Sequence, residues 1–249
     1  MRIERDGAVA ILHLESGRAN AMSAQFLDAL SRLLSELGDA KAAVITGQDK
    51  FFSAGLDLPG LIDLDRKSLL GFMAKFEQVM LQVFELPIPL VAAINGHAIA
   101  GGCVLALEAD VRIAADRESL RIGLNEAQLG LGLPAAVVEP LREQVPGSSL
   151  SRLALGGELF DPHEALRLGL VHGVVPEGDL LPRALLKAKA LAAVPGGGIR
   201  QIKASLRAPI AALMRARAAE EGDGWVETWF APETQLALRA TVARLKSKG

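Results

Sequence analysis

Three short segments of the 249-residue chain hold the residue types that chemistry requires. Two are glycine-containing turns, Phe52-Ser53-Ala54-Gly55-Leu56-Asp57-Leu58 and Asn95-Gly96-His97-Ala98-Ile99-Ala100-Gly101-Gly102-Cys103. Each follows an apolar run and precedes a helical pattern, so bare backbone N–H groups are presented where a ligand can approach the main chain closely. Two such amides turned on one carbonyl oxygen would hold it as it gains negative charge, as in an oxyanion hole. The third segment, Ile122-Gly123-Leu124-Asn125-Glu126-Ala127-Gln128-Leu129-Gly130-Leu131-Gly132-Leu133, sets one carboxylate among leucines. Burial disfavours the charged form of Glu126 and would lift its pKa toward the range useful to a general acid or base. The same residues also fit a plainer account: two ordinary strand-to-helix turns and a glutamate that caps a helix or faces water.

Other chemistries lack their signatures. The four histidines, His13, His97, His163 and His172, are too far apart for an i, i+4 metal pair, and structural roles suit all four. There is no Gly-x-Ser-x-Gly elbow for a nucleophilic serine. Gly130-Leu131-Gly132-Leu133 begins like a dinucleotide fingerprint but lacks the third glycine and the preceding βαβ placement, so it reads as a turn.

Buried strands must position these turns. Val9 to Leu14, Ala42 to Thr46, Leu90 to Ile94, Val111 to Ala115 and Val174 to Val175 are short, apolar and rich in β-branched residues. Ser23 caps a helix that carries Phe26, Leu27, Leu30, Leu33, Leu34 and Leu37 on one face, with Gly38 at its C-terminal cap. A second helix runs from about Arg66 to Glu85 and stops before Pro87 and Pro89. Asp161-Pro162-His163-Glu164 combines a capping acid, a first-turn proline and a glutamate three residues on, which starts a short helix ended by Gly169. Beyond Leu180 the pattern is helical: 180–194, 199–207, 211–221, 224–230 and 232–247, with breaks expected at Pro195-Gly196-Gly197-Gly198 and Gly222-Asp223-Gly224. An α/β core followed by a helical appendage results, and no repeat of fixed period is visible.

Half the chain is apolar and 22% is charged, enough for one substantial core. Net charge is −2, and neither nucleic acid nor an anionic membrane is an expected partner. The balance is uneven: from residue 181 onward lie 12 of the 27 basic side chains but 5 of the 29 acids. Spread over amphipathic helices with few aromatics, the basic charges read as a solvated face. Cys103 is the only cysteine, so there is no intrachain disulfide and no cysteine-rich metal site. The start, Met1 to Gly7, is charged where a secretory signal would be apolar, and its acids argue against a transit peptide, so neither signal is expected; no apolar run reaches the roughly 18 to 20 residues that span a bilayer. A cytoplasmic protein is expected.

Taken together, Ala54-Gly55-Leu56-Asp57, Asn95-Gly96 with Gly101-Gly102-Cys103, and Glu126 occur in the order and spacing of the crotonase, or enoyl-CoA hydratase/isomerase, superfamily. The likeness continues through Asp161 to Gly169, Val174-Val175-Pro176 and the helical tail. Phe52 to Leu58 and Gly101 to Glu126, especially Ile122 to Glu126, are most similar to the mitochondrial-type Δ3,Δ2-enoyl-CoA isomerases. The resemblance implies an α/β fold with a ββα spiral core over residues 1–188 and a helical oligomerisation domain over 189–249 that builds a homotrimer or a dimer of trimers. It implies oxyanion donors at the Leu56 and Gly101 amides and an acid–base role for Glu126. Arg18, Ala19 and Ala21 would line the CoA site, Ala54, Asp57 and Leu58 would sit along its nucleotide and pantetheine arm, and Gly102 would also bind substrate. Basic residues of the tail, from the same or a neighbouring subunit, would meet the phosphates. No metal and no separate cofactor are implied, since CoA belongs to the acyl-CoA thioester substrate.

Hydratases of this superfamily use two glutamates to hold and activate water. One aligns with Glu126; the other aligns with Val104, which can neither orient nor deprotonate water. Glu108 stands one helical turn beyond Val104, about 6 Å away, and reads as an acid on the outer end of a short helix. One carboxylate suffices to move a proton from C2 to C4 of a 3-enoyl-CoA, which yields the 2-trans-enoyl-CoA of fatty-acid β-oxidation. The rival expectations are hydration or other acyl-CoA chemistry on the same fold, and a noncatalytic acyl-CoA-binding protein.

Overall fold

A computed structural model describes residues 1–247, with the backbone alone for 221–223. The strands are β1 (Arg2–Asp6), β2 (Val9–His13), β3 (Ala42–Thr46), β4 (Phe51–Ser53), β5 (Leu90–Ile94), β6 (His97–Ile99), β7 (Val111–Asp116), β8 (Ile122–Gly123) and β9 (Gly173–Pro176). The helices of the core are α1 (Ala24–Ser35), α2 (Leu58–Leu61), α3 (Arg66–Phe84), α4 (Gly101–Leu107), α5 (Ala135–Gln144), α6 (Leu150–Leu155) and α7 (Pro162–Arg167). The chain ends in α8 (Leu180–Ala192), α9 (Gly196–Phe230) and α10 (Pro232–Lys246).

Two sheets organise the core. One has the order β1-β2-β3-β5-β7-β9, parallel except for the β1–β2 pair; the other is parallel and has the order β4-β6-β8. The consecutive pairs β3/β4, β5/β6 and β7/β8 therefore each give one strand to each sheet, which is the expected ββα spiral. The starts of β3, β5 and β7 at Ala42, Leu90 and Val111 are unevenly spaced, which explains why this structural repeat leaves no fixed period in the sequence. β3 and β5 are buried at every position, as strands covered on both faces must be. Ser23, Asp65 and Asp161 cap α1, α3 and α7 through their side chains, each accepting a hydrogen bond from a first-turn amide.

The helical tail differs from expectation in two ways. α9 runs unbroken for 35 residues through both expected breaks. Pro195 stands just before it, so Gly196 to Gly198 fall in the first turn, where amides need no helical partner. Pro209 removes one donor inside the helix, but buried Ala211, Met214, Trp225, Val226 and Trp229 anchor the same face against the core. Second, the basic charge is not all solvated. Lys203 and Arg207 are buried, and both donate to the Asp110 carboxylate at 2.6 and 3.0 Å, while Asp110 also accepts from the Leu90 amide that begins β5. Arg207 lies over the Phe84 ring, 4.0 Å from its centroid. A paired carboxylate is what makes two buried cations tolerable. α8 crosses residue 188 without interruption and packs on β2, β3, β5 and β7; α9 packs on α3 and α5, and α10 on α2 and α9. Among the described residues no helix is long and apolar enough to cross a membrane.

Candidate active site

The small sheet brings the three segments together. Leu56 follows β4, Gly101 follows β6 and Glu126 follows β8, each within a few residues of the strand's C-terminal end. The strands are parallel and β6 lies between the other two. Neighbouring strands stand about 4.8 Å apart, so three loops leaving the same edge must converge, with Gly101 in the centre. They converge on a cavity of about 650 Å3 lined by Leu56, Gly101, Val104 and Glu126. A second cavity of about 450 Å3 shares Met73, Pro134 and Trp225 with it.

Local backbone bonding leaves two amides free. The Met22 amide donates to the Gly55 carbonyl at 2.8 Å, and the Asp57 amide donates to the Met22 carbonyl at 3.1 Å. Alternate groups of an extended chain point to opposite sides, so the intervening Leu56 N–H is turned the other way and has no acceptor among the described residues. Gly101 begins α4, where an amide has no carbonyl one turn back. Ala100, just before it, sits at φ 51° and ψ −123°, a conformation that an alanine holds only under constraint from its surroundings and that sets the direction of the Gly101 amide. Gly55 seals the junction: it has φ +82°, and a Cβ there would stand 2.9 Å from the Gly101 nitrogen and 2.8 Å from the Ile99 carbonyl oxygen. The geometry gives two donors with no partner at the wall of one cavity, beside a carboxyl.

Glu126 opens a single 3-10 turn, 126–129. Its Oε2 is shielded from solvent with no hydrogen-bond partner. Burial pushes its pKa from 4.5 up to about 7, opposed only by a bond to its own amide. A carboxyl that holds its proton more tightly in the folded chain costs stability as it ionises. The penalty is absent below pH 4.5, grows between 4.5 and 7, and reaches on the order of 3 kcal/mol above 7. Glu126→Gln is therefore expected to raise the melting temperature at pH 8 and to do so progressively less as pH falls to 4.5, which calorimetry at the two pH values checks.

Of the other residues singled out in the sequence, Ala19, Ala21, Ala54, Asp57 and Leu58 line the cavity. Arg18 is exposed and Gly102 is not on the wall. Gly102 instead faces β4, where a Cβ would meet the Ser53 carbonyl oxygen at 2.1 Å. The Asp57 carboxylate leans over Gly60 in α2, 2.6 Å from where a Cβ on that residue would stand. Glu108 is not on an outer end: it is fully buried, both its oxygens lack partners, and burial raises its pKa well above 4.5 despite Arg207 and Arg112 nearby. The reason is that α4 is interior throughout, including its C-terminal cap. Glu108 does not line the cavity; Val104, one turn earlier, does. Cys103 is buried, which pushes its thiol up to about 12 and keeps it from acting as a nucleophile. Among the described residues no three His, Cys, Asp or Glu side chains gather to hold a metal.

The sequence points to the tail's share of the wall only coarsely, without naming its residues. Trp225 of α9 and Ala237, Thr241, Arg244 and Leu245 of α10 close the cavity from the same chain. Ala237, Thr241 and Leu245 recur at helical spacing, the one signal that could have exposed this face.

The sequence profile described as "Enoyl-CoA hydratase/isomerase" matches residues 4–233. The chain is 32% identical over 244 residues to enoyl-CoA delta isomerase 1, mitochondrial, of Homo sapiens, covering 96% of this chain and 81% of that protein. It is 33% identical over 217 residues to the 2,3-dehydroadipyl-CoA hydratase of Escherichia coli, covering 85% and 84%. Among solved structures, human mitochondrial delta3-delta2-enoyl-CoA isomerase superposes with a TM-score of 0.94 at 31% identity, covering 99% of this chain and 98% of that one.

Proposed function

The chain belongs to the enoyl-CoA hydratase/isomerase family, and from that premise we propose that it converts 3-enoyl-CoA thioesters to 2-trans-enoyl-CoA. The thioester oxygen sits between the Leu56 and Gly101 amides. The Glu126 carboxylate takes the C2 proton; the C–H pair enters the C1–C2 bond and the carbonyl pair moves onto oxygen, where the two amides hold it. Glu126 then returns the proton to C4 as the oxygen pair falls back, which leaves the double bond between C2 and C3. A pKa of about 7 supplies both protonation forms near neutrality, which suits a group that must accept and then donate.

The observation that carries this reaction over hydration is the pairing on one wall of Glu126 with Val104, an apolar side chain that can neither hold nor activate water. The similar proteins include both isomerases and hydratases, so the residues must discriminate. Incubation with 3-enoyl-CoA esters is expected to yield 2-trans-enoyl-CoA, while crotonyl-CoA keeps its enoyl absorbance. Rapid loss of that absorbance would mean hydration and overturn the assignment; acyl-CoA binding without C2 proton exchange in deuterated water would mean a noncatalytic binder.

Several finer expectations follow from the same family likeness. Arg244 at the mouth of the cavity suits the phosphates of CoA, which enters as part of the substrate, so no separate cofactor is needed. Assembly as a homotrimer or a dimer of trimers is supported by exposed Leu186, Ile202 and Leu206 on α8 and α9. A cytoplasmic location fits the reducing conditions a lone buried cysteine suggests.

A further inference from the structure

The segment Gly130-Leu131-Gly132 follows the 3-10 turn of Glu126 directly, and the tail grips it at three points. The Thr234 hydroxyl, buried at the start of α10, donates to the Gly130 carbonyl at 3.1 Å. The Gly132 amide donates to the Thr228 hydroxyl at 3.1 Å, and the Trp225 indole N–H donates to the Gly132 carbonyl at 3.0 Å. The Thr228 hydroxyl spends its own proton on the Trp225 carbonyl, 2.7 Å away, so its lone pair is fixed toward Gly132. The fit allows no slack: Gly130 has φ +78°, and a Cβ on it would stand 2.5 Å from the Thr234 hydroxyl. The gripped segment bonds straight back to the turn, Leu131 N–H to the Glu126 carbonyl at 3.0 Å and Gly130 N–H to the Ala127 carbonyl at 3.1 Å.

We propose that Trp225, Thr228 and Thr234 form a clasp through which the helical tail positions Glu126, so that the tail acts as a positioning element of the reaction as well as a wall of the cavity. The proposal rests on Glu126 being the acid–base. A single 3-10 turn has few bonds of its own, and no other helix end or strand is hydrogen-bonded to the 130–132 backbone among the described residues. Released from the clasp, the turn can shift while the two amides, held by β4 and β6, stay in place. A displacement of about 1 Å between a base and its proton costs about 10²-fold in rate.

The test is the double variant Thr228→Val, Thr234→Val, which keeps shape and deletes both hydroxyls. The expected result is a fall in kcat of about 10²-fold with KM little changed, a displaced acid limb in the kcat–pH profile, and recovery in the Thr228→Ser, Thr234→Ser protein. In a Glu126→Gln background the valine pair is expected to add no further loss, because the residue it positions is already gone. Wild-type kcat in the valine variant, at whatever melting temperature, overturns the clasp. If the double variant does not fold, Thr228→Val alone, at the less buried of the two sites, is read the same way. Wild-type turnover by Glu126→Gln itself would instead overturn the proposed function, so the two failures are told apart.

Discussion

Glu126→Gln is expected to lower turnover of a 3-enoyl-CoA by about 10² to 10⁴-fold, the range that a positioned acid–base contributes, while binding of the thioester survives. The amide has nearly the volume of the carboxyl, so the wall keeps its shape; what is lost is the ability to take the C2 proton and give it back. No other group on the wall is placed to substitute. Glu108 is buried off the cavity, Val104 has no basic atom, and the Asp57 carboxylate is folded over α2. The loss should therefore fall on kcat and on C2 exchange in deuterated water together, with the dissociation constant for a saturated acyl-CoA unchanged by calorimetry. Retained exchange would remove Glu126 from the reaction.

Gly55→Ala is expected to cost about 10² to 10³-fold in kcat, the usual effect of losing one oxyanion donor. The residue itself contributes no group to the reaction. Its φ of +82° is open to alanine only at roughly 1–2 kcal/mol, and the added methyl would lie 2.9 Å from both the Ala100 Cβ and the Gly101 nitrogen. Relief requires the β4 and β6 loops to move apart, which spoils the convergence of the Leu56 and Gly101 amides. Circular dichroism is expected to show a folded protein, which separates this loss from unfolding; full activity in the folded variant would show that the oxygen does not depend on that pair of amides.

The long elements were legible because their physics is local. β3 and β5 are continuous apolar runs, and α1 has both its cap and its stripe in the sequence. β4, β6 and β8, with three, three and two residues, are too short for any periodicity, yet they set the geometry of the site. Their existence follows only from pairing across the spiral. Glu126 stood out as a carboxyl among leucines, and the structure gives it the raised pKa that composition suggested. Glu108 was misjudged because its burial comes from the packing of β4, β6, α3 and α5 around α4, which the local sequence does not show. Gly130-Leu131-Gly132 could only be seen as a turn, since the threonines that hold it lie about a hundred residues further on.

The small sheet also bears on how such a protein can change. In the proposed reaction each reactive group hangs from a different revolution of the spiral, behind its own strand, so the grip on the thioester and the proton carrier are separate parts of the fold. Replacing a side chain behind β8, or on the inward face of α4, exchanges one part and leaves the others standing. A single substitution at either place would then alter the proton chemistry while the two amides at the cavity wall stay where β4 and β6 put them.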